Sequence, residues 1–141
     1  MAICEYLDEV HPEPALLPAG AVMRAKVRAA AQVIACDVHP IQNLKVLGWV
    51  KALGGDENVW GARVIEEGFD AFDALIAPHA GTFCFGESVT LADIMLVPQL
   101  VNARRFGVDL ARWPRLLAIE ATCCATPAFM AANPATQPDA E

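Results

Sequence analysis

Apolar residues recur along the 141-residue chain at spacings of three and four, and nowhere do they alternate convincingly as in a strand. Ile3, Tyr6, Leu7 and Val10 share one face of a helix over 2–10, which His11-Pro12 and Pro14 stop. No Ser, Thr, Asp or Asn stands ahead of Ala2 to cap its first turn, so this helix has an end signal and no start signal and reads as cut. Pro12, Pro14 and Pro18 make 11–19 a stiff extended connector. The alanine-rich AGAVMRAKVRAAAQVIACDV comes next as a helix that His39-Pro40 breaks. Helix resumes through IQNLKVLGWVKAL and stops at Gly54-Gly55. Asp56 caps a long helix to about Ala77, with Trp60, Val64, Ile65, Phe69, Phe72, Leu75 and Ile76 as its apolar stripe. Residues 78–89 read as loop. Further helices are expected from Thr90 to about Phe106 and from Trp113-Pro114 to about Ala125, the latter with Leu116, Leu117 and Ile119 inward. Thr126 is placed to cap one short turn beginning at Pro127. The tail NPATQPDAE reads as loose. The pattern predicts an all-α bundle.

The segment GESVTLADIMLVPQLVNARRF is the most informative. Thr90 and Asp93 have the spacing of a capping box, and Val89 and Ile94 that of a hydrophobic staple. Beyond its first turn this helix is apolar on almost every side, which predicts the central helix of the bundle. At about 100° per residue, Arg105 lands amid Leu91, Ile94, Pro98 and Val101. A guanidinium on an apolar face needs a carboxylate. Either Asp109 supplies it or a ligand does, gripped in bidentate fashion. Arg104 points elsewhere and reads as a salt-bridged surface residue.

Composition narrows the choice of partner. The chain is 55% apolar with a mean hydropathy of +0.36, and only 19% is charged. Either the helices are buried on most faces, or apolar surface is kept for another protein surface. A formal charge of −7 argues against nucleic acid and anionic membranes. No run of about 18 uncharged apolar residues exists to span a bilayer, and no basic stretch precedes an apolar one at the start. The five cysteines are odd in number and mostly in apolar surroundings, which reads as reduced core thiols in the cytoplasm. Cys36 and His39 have C-x-x-H spacing without a second ligand pair, so no metal site is expected.

CFGESVTLADIMLVPQLVNARRFGVDL resembles the C-terminal helical domain of the zeta-class glutathione transferases, the maleylacetoacetate isomerases and related maleylpyruvate isomerases. EYLDE, DVHPIQNLKVL, PAF and the QPD tail agree, so the resemblance covers nearly the whole chain. It implies a glutathione-transferase C-terminal-like bundle over 20–133, with 134–141 a flexible tail. It assigns 1–10 to the last helix of a truncated thioredoxin-like domain and 11–19 to the linker. The Ser-Ser-Cys motif that activates the glutathione thiol and the Gln-Ser pair that holds its γ-glutamyl end are both absent from this sequence. The resemblance places Arg105 on a substrate carboxylate, and His39 and Asn43 on glutathione. Lys45, where some maleylpyruvate isomerases carry arginine, and Gln42 are weaker candidates. It further implies a small dicarboxylate substrate, glutathione as co-substrate once the absent domain is supplied, a homodimer, and a place in aromatic amino-acid breakdown. QNLK favours maleylacetoacetate over maleylpyruvate. A stand-alone helical assembly module is the competing expectation, and it would have Arg105 sealed against an acid of its own chain.

Overall fold

A computed structural model describes residues 1–140; the last residue of the expected loose tail, Glu141, lies outside them. The described chain is helical, without a strand: α1 (Ala2–Val10), α2 (Ala21–Gln32), α3 (Leu44–Ala52), α4 (Glu57–Ile76), α5 (Leu91–Arg105), α6 (Pro114–Cys124) and α7 (Pro127–Ala131), with short 3-10 turns at Leu110–Arg112 and Pro134–Thr136. Local signals explain most boundaries. Asp56 accepts the Asn58 and Val59 N–H groups at 2.8 and 3.1 Å and opens α4. Pro114 and Pro127 occupy first-turn positions where no N–H is needed. Thr126 precedes α7 as expected, but its hydroxyl turns back to the Cys123 carbonyl at 2.8 Å and caps nothing.

Helix α5 is the centre, packed on α2 and α6. Leu91, Ala92, Leu96, Leu100 and Ala103 are fully buried in it. Asp93 is buried with them. Its Oδ2 accepts the Thr90 backbone N–H and hydroxyl, each at 2.8 Å, and its Oδ1 accepts the Cys84 N–H at 2.8 Å. The expected capping bond is therefore present. The same carboxylate also ties down the 78–89 loop, which helix spacing could not show. Beside it, burial and the Asp93 charge push the Cys84 thiol well above its usual range, and the same two causes push Cys123 up to about 12. Those two thiols are core residues. Cys36 and Cys124 are exposed, contrary to expectation, because one lies on the outer side of a turn and the other ends α6.

Helix α4 packs its inner face against the core and the start of α6. Ile65, Phe69, Phe72 and Ile76 are fully buried, while Trp60 and Leu75, expected in that stripe, are 41% and 44% exposed at its edges. Gly61 and Gly68 complete the buried face instead. Phe69 meets Trp113 edge-on with centroids 5.4 Å apart, and the indole N–H donates to Asp70 at 3.0 Å. Arg112 and Arg115 reach Glu66 and Asp73 on α4 at 3.1 and 2.8 Å. Arg104 pairs with Glu120 of α6, as its outward position suggests.

Two features near residue 40 depart from the sequence pattern. Helix α2 does not stay α-helical to residue 38: Val33–Val38 is a π segment, with the His39 N–H on the Ile34 carbonyl five residues back at 2.8 Å. Helix also resumes later than expected, at Leu44, because the Ile41 and Gln42 N–H groups both turn onto the Val38 carbonyl at 3.1 Å. The π segment lies close against α4, where a Cβ on Gly68 would stand 2.1 Å from Val38 Cγ2.

Urea unfolding of three variants tests this packing. Replacing Asp93 by Ala orphans buried N–H groups at Thr90 and Cys84 and should cost about 2–4 kcal/mol. At the glycines, helix propensity and packing give opposite signs. Gly68→Ala should destabilise by about 1–3 kcal/mol, because the stiff, buried Val38 must move. Gly48→Ala, where the added Cβ meets nothing within 4 Å, should stabilise by about 0.5–1 kcal/mol.

Candidate functional site

The break at Pro40 and the late start of α3 leave a turn, 39–43, facing the end of α5. Three anchors hold the turn. Its N–H groups use the Val38 carbonyl, the Trp60 indole N–H donates to the Ile41 carbonyl at 3.1 Å, and the Gln42 side chain donates to Gln99 of α5 at 3.1 Å. Between turn and helix lies a cleft of about 410 Å³. His39, Gln42 and Asn43 line it from the turn; Asn102, Arg105 and Phe106 line it from the end of α5. Leu44, Leu47 and Gly48 of α3 supply its apolar side, and Glu57 and Asn58 at the start of α4 close it. A Cβ on Gly61 would stand 2.5 Å from the Phe106 ring, so that glycine lets the ring lie against α4.

Arg105 dominates the electrostatics of the cleft. The sequence has seven arginines. Arg28, Arg63, Arg104, Arg112 and Arg115 each have a carboxylate partner, and Arg24 donates to the Pro18 and Ala19 carbonyls. Among the described residues Arg105 is the guanidinium with no acceptor. It is not buried, contrary to the projection from sequence. The last turns of α5 run past the packed body, so Pro98 and Val101 on the same face are not buried either. Hence no internal acid is needed. Asp109, the candidate partner, instead accepts the Ala111 N–H at 3.1 Å.

The structure thus brings His39, Gln42, Asn43 and Arg105 to one cleft. His39 is exposed, and its ring has no hydrogen-bond partner among the described residues. Asn43 caps α3, its Oδ1 accepting the Lys45 N–H at 3.2 Å. Gln42 is 5% exposed and forms part of the wall. Lys45 does not join them: its ammonium lies 5.0 Å over the Trp49 ring, outside the cleft lining. Sequence reasoning missed Gln99, Asn102, Glu57 and Asn58. A glutamine on the apolar face of α5 was a usable signal for Gln99, and Asn102 is the i−3 neighbour of Arg105 on the same helix. The approach of Glu57 and Asn58 depends on a long-range fold that no local pattern encodes. None of the five cysteines lines the cleft, and the described residues hold no group of three His, Cys, Asp or Glu side chains that could take a metal ion. No described helix is long and apolar enough to cross a membrane.

Known proteins share this arrangement over nearly the whole chain. Residues 49–119 match the glutathione S-transferase C-terminal domain. A maleylpyruvate isomerase from Ralstonia sp is 49% identical over 98% of this chain and 68% of its own length. The holo structure of a maleyl pyruvate isomerase, a bacterial glutathione S-transferase in zeta class, superposes with a TM-score of 0.94 at 47% identity, covering 99% of this chain and 69% of that one. A maleylacetoacetate isomerase from Anaeromyxobacter dehalogenans 2CP-1, with glutathione bound in its active site, gives a TM-score of 0.93 at 43% identity over 97% of this chain and 64% of that one. The chain spans about two thirds of the length of these proteins. It belongs to the glutathione transferase family, in the zeta-class group of the maleylacetoacetate and maleylpyruvate isomerases.

Proposed function

We propose that the chain is the helical, substrate-binding part of a glutathione-dependent cis–trans isomerase acting in the cytoplasm on a maleyl-substituted keto acid. The observation that carries this reading is the unpaired Arg105 guanidinium in a cleft shared with His39 and Asn43. A free guanidinium fork matches a carboxylate in two parallel hydrogen bonds. Isomerising a conjugated double bond requires making it single for a moment. A thiolate adds to the alkene, the electron pair moves into an enolate, the new single bond rotates, and the enolate returns the pair and expels the thiolate. Nothing is oxidised or reduced overall. Arg105 fixes a substrate carboxylate, and His39 and Asn43 contact glutathione. QNLK favours maleylacetoacetate and the Ralstonia relative is a maleylpyruvate isomerase, so the class is proposed rather than one member.

Residues that lower the thiol pKa are assigned to a thioredoxin-like domain, of which 1–10 is the last helix and 11–19 the linker. The packing of α1 supports this. Its polar side faces the body, with Glu5 on Arg28 at 2.8 Å and Asp8 accepting the Leu16 N–H at 2.5 Å. Ile3 and Tyr6 face outward at 75% and 63% exposure, and Leu7 and Val10 are exposed beside them. A helix that turns its apolar side to water is built to be covered. The competing assembly-module reading requires a sealed arginine, and the open Arg105 counts against it.

Purified as 141 residues, the chain should show no glutathione-dependent isomerisation of maleylacetone. Joined to the thioredoxin-like domain of a similar isomerase it should turn over, and Arg105→Gln should then lower kcat/KM about 10- to 100-fold. Turnover by the 141-residue chain alone sinks the half-site reading, and full activity in the Arg105 variant sinks the assigned role. The exposed side of α1 also predicts self-association in sedimentation velocity. A monomer at high concentration argues against it.

A further inference from the structure

The cleft has two walls, and the contacts that join them are few. The indole of Trp60 and the Val38 carbonyl hold the turn 39–43 to α4 and to the π segment, not to α5. Among the described residues one side-chain hydrogen bond runs from this turn to α5: Gln42 Nε2 donates to Gln99 Oε1 at 3.1 Å. Gln42 is the immediate neighbour of Asn43, and Gln99 lies six residues before Arg105.

The pair is an expensive way to join two elements. Gln42 is 5% exposed and Gln99 2%. Each amide uses one polar atom on the other and leaves its second, Gln42 Oε1 and Gln99 Nε2, buried with no partner. Half-satisfied buried amides destabilise a fold relative to apolar side chains of the same shape. Two methionines of similar length would fill the space without orphaned atoms, but they lack direction and would let the walls slide. We propose that Gln42 and Gln99 are positioning residues that sacrifice stability to set the separation of Asn43 and His39 from Arg105. Neither is assigned a contact with substrate. The proposal rests on the reading of the cleft as a carboxylate site, and it concerns what holds that site in shape.

Stability and affinity then move apart in a set of variants. The probe is maleate, titrated into the 141-residue chain and followed by ¹H–¹⁵N NMR, with thermal melting measured in parallel. Gln42→Met or Gln99→Met alone strands a fully unpaired amide and should lower Tm. Each should also weaken maleate binding by about 3- to 10-fold. The double variant removes every orphaned atom, so its Tm should return to the wild-type value or exceed it. Its maleate affinity should stay about 3- to 10-fold weaker, no worse than either single variant. Wild-type affinity in the stable double variant overturns the proposal, as does wild-type affinity in either single one. Arg105→Gln separates the two layers. Loss of saturable binding in that variant leaves the carboxylate site standing whatever the glutamines do. Undiminished binding there, or no saturable shift with the wild-type chain, removes the site and the positioning role with it.

Discussion

A single buried carboxylate organises the centre of this protein. Asp93 lies in the core without a cation, which is tolerable because three N–H and O–H donors converge on it. Two come from Thr90 and begin α5. The third comes from Cys84 and folds the 78–89 loop back over the helix start. The connector joins the same point, since the Leu16 carbonyl accepts the Leu91 N–H at 3.1 Å. Everything that α5 carries to its other end, including Arg105, takes its direction from that cluster. The neutral state of the neighbouring thiols belongs to the same arrangement, because a second anion beside Asp93 would be costly.

The electrostatic design is one of subtraction. The chain carries seventeen acidic residues against ten Lys and Arg, and most of its cations are engaged. Pairs such as Arg104–Glu120 and Arg115–Asp73 join helices, and they also remove positive charge from the surface. Against this acidic background one arginine is left open beside a cleft. An anion approaching the protein meets repulsion nearly everywhere and attraction at that place. Screening by physiological salt, with a Debye length of about 8 Å, weakens the distant repulsion more than the close contact.

Much of the architecture is legible in the sequence because it is local. Caps, prolines and apolar periodicity locate α1, α4, α5, α6 and α7, and the Thr90–Asp93 spacing identifies the cap that anchors the core. Projection of Arg105 onto its helix gives the right face and the wrong degree of burial. Helix phase says which way a side chain points, but not where the neighbouring helices end. Gln99 escapes a sequence reading because a polar residue on an apolar face acquires meaning only when its partner, 57 positions away, is known. Trp60 falls in the stripe by its apolar ring, while its N–H finds a carbonyl on the turn. The π segment has no pattern of its own: VIACDV suits an ordinary helix equally well, and tertiary packing against Gly68 accompanies the wider ring.

That π segment gives the cleft an unusual sensitivity to chain length. A π turn holds one residue more than the α-helical ladder has room for. Deleting any one residue between Val33 and Val38 would let the helix close normally, and everything downstream would rotate by about 100° around its axis. The helices themselves would survive such a change. The turn that bears His39, Gln42 and Asn43 would swing away from α5, and Arg105 would be left without an opposing wall. For this protein a single-codon deletion at that point is therefore a more drastic event than most substitutions in the cleft, and the same arithmetic shows how a plain helical bundle can acquire a binding cleft through the insertion of one amino acid.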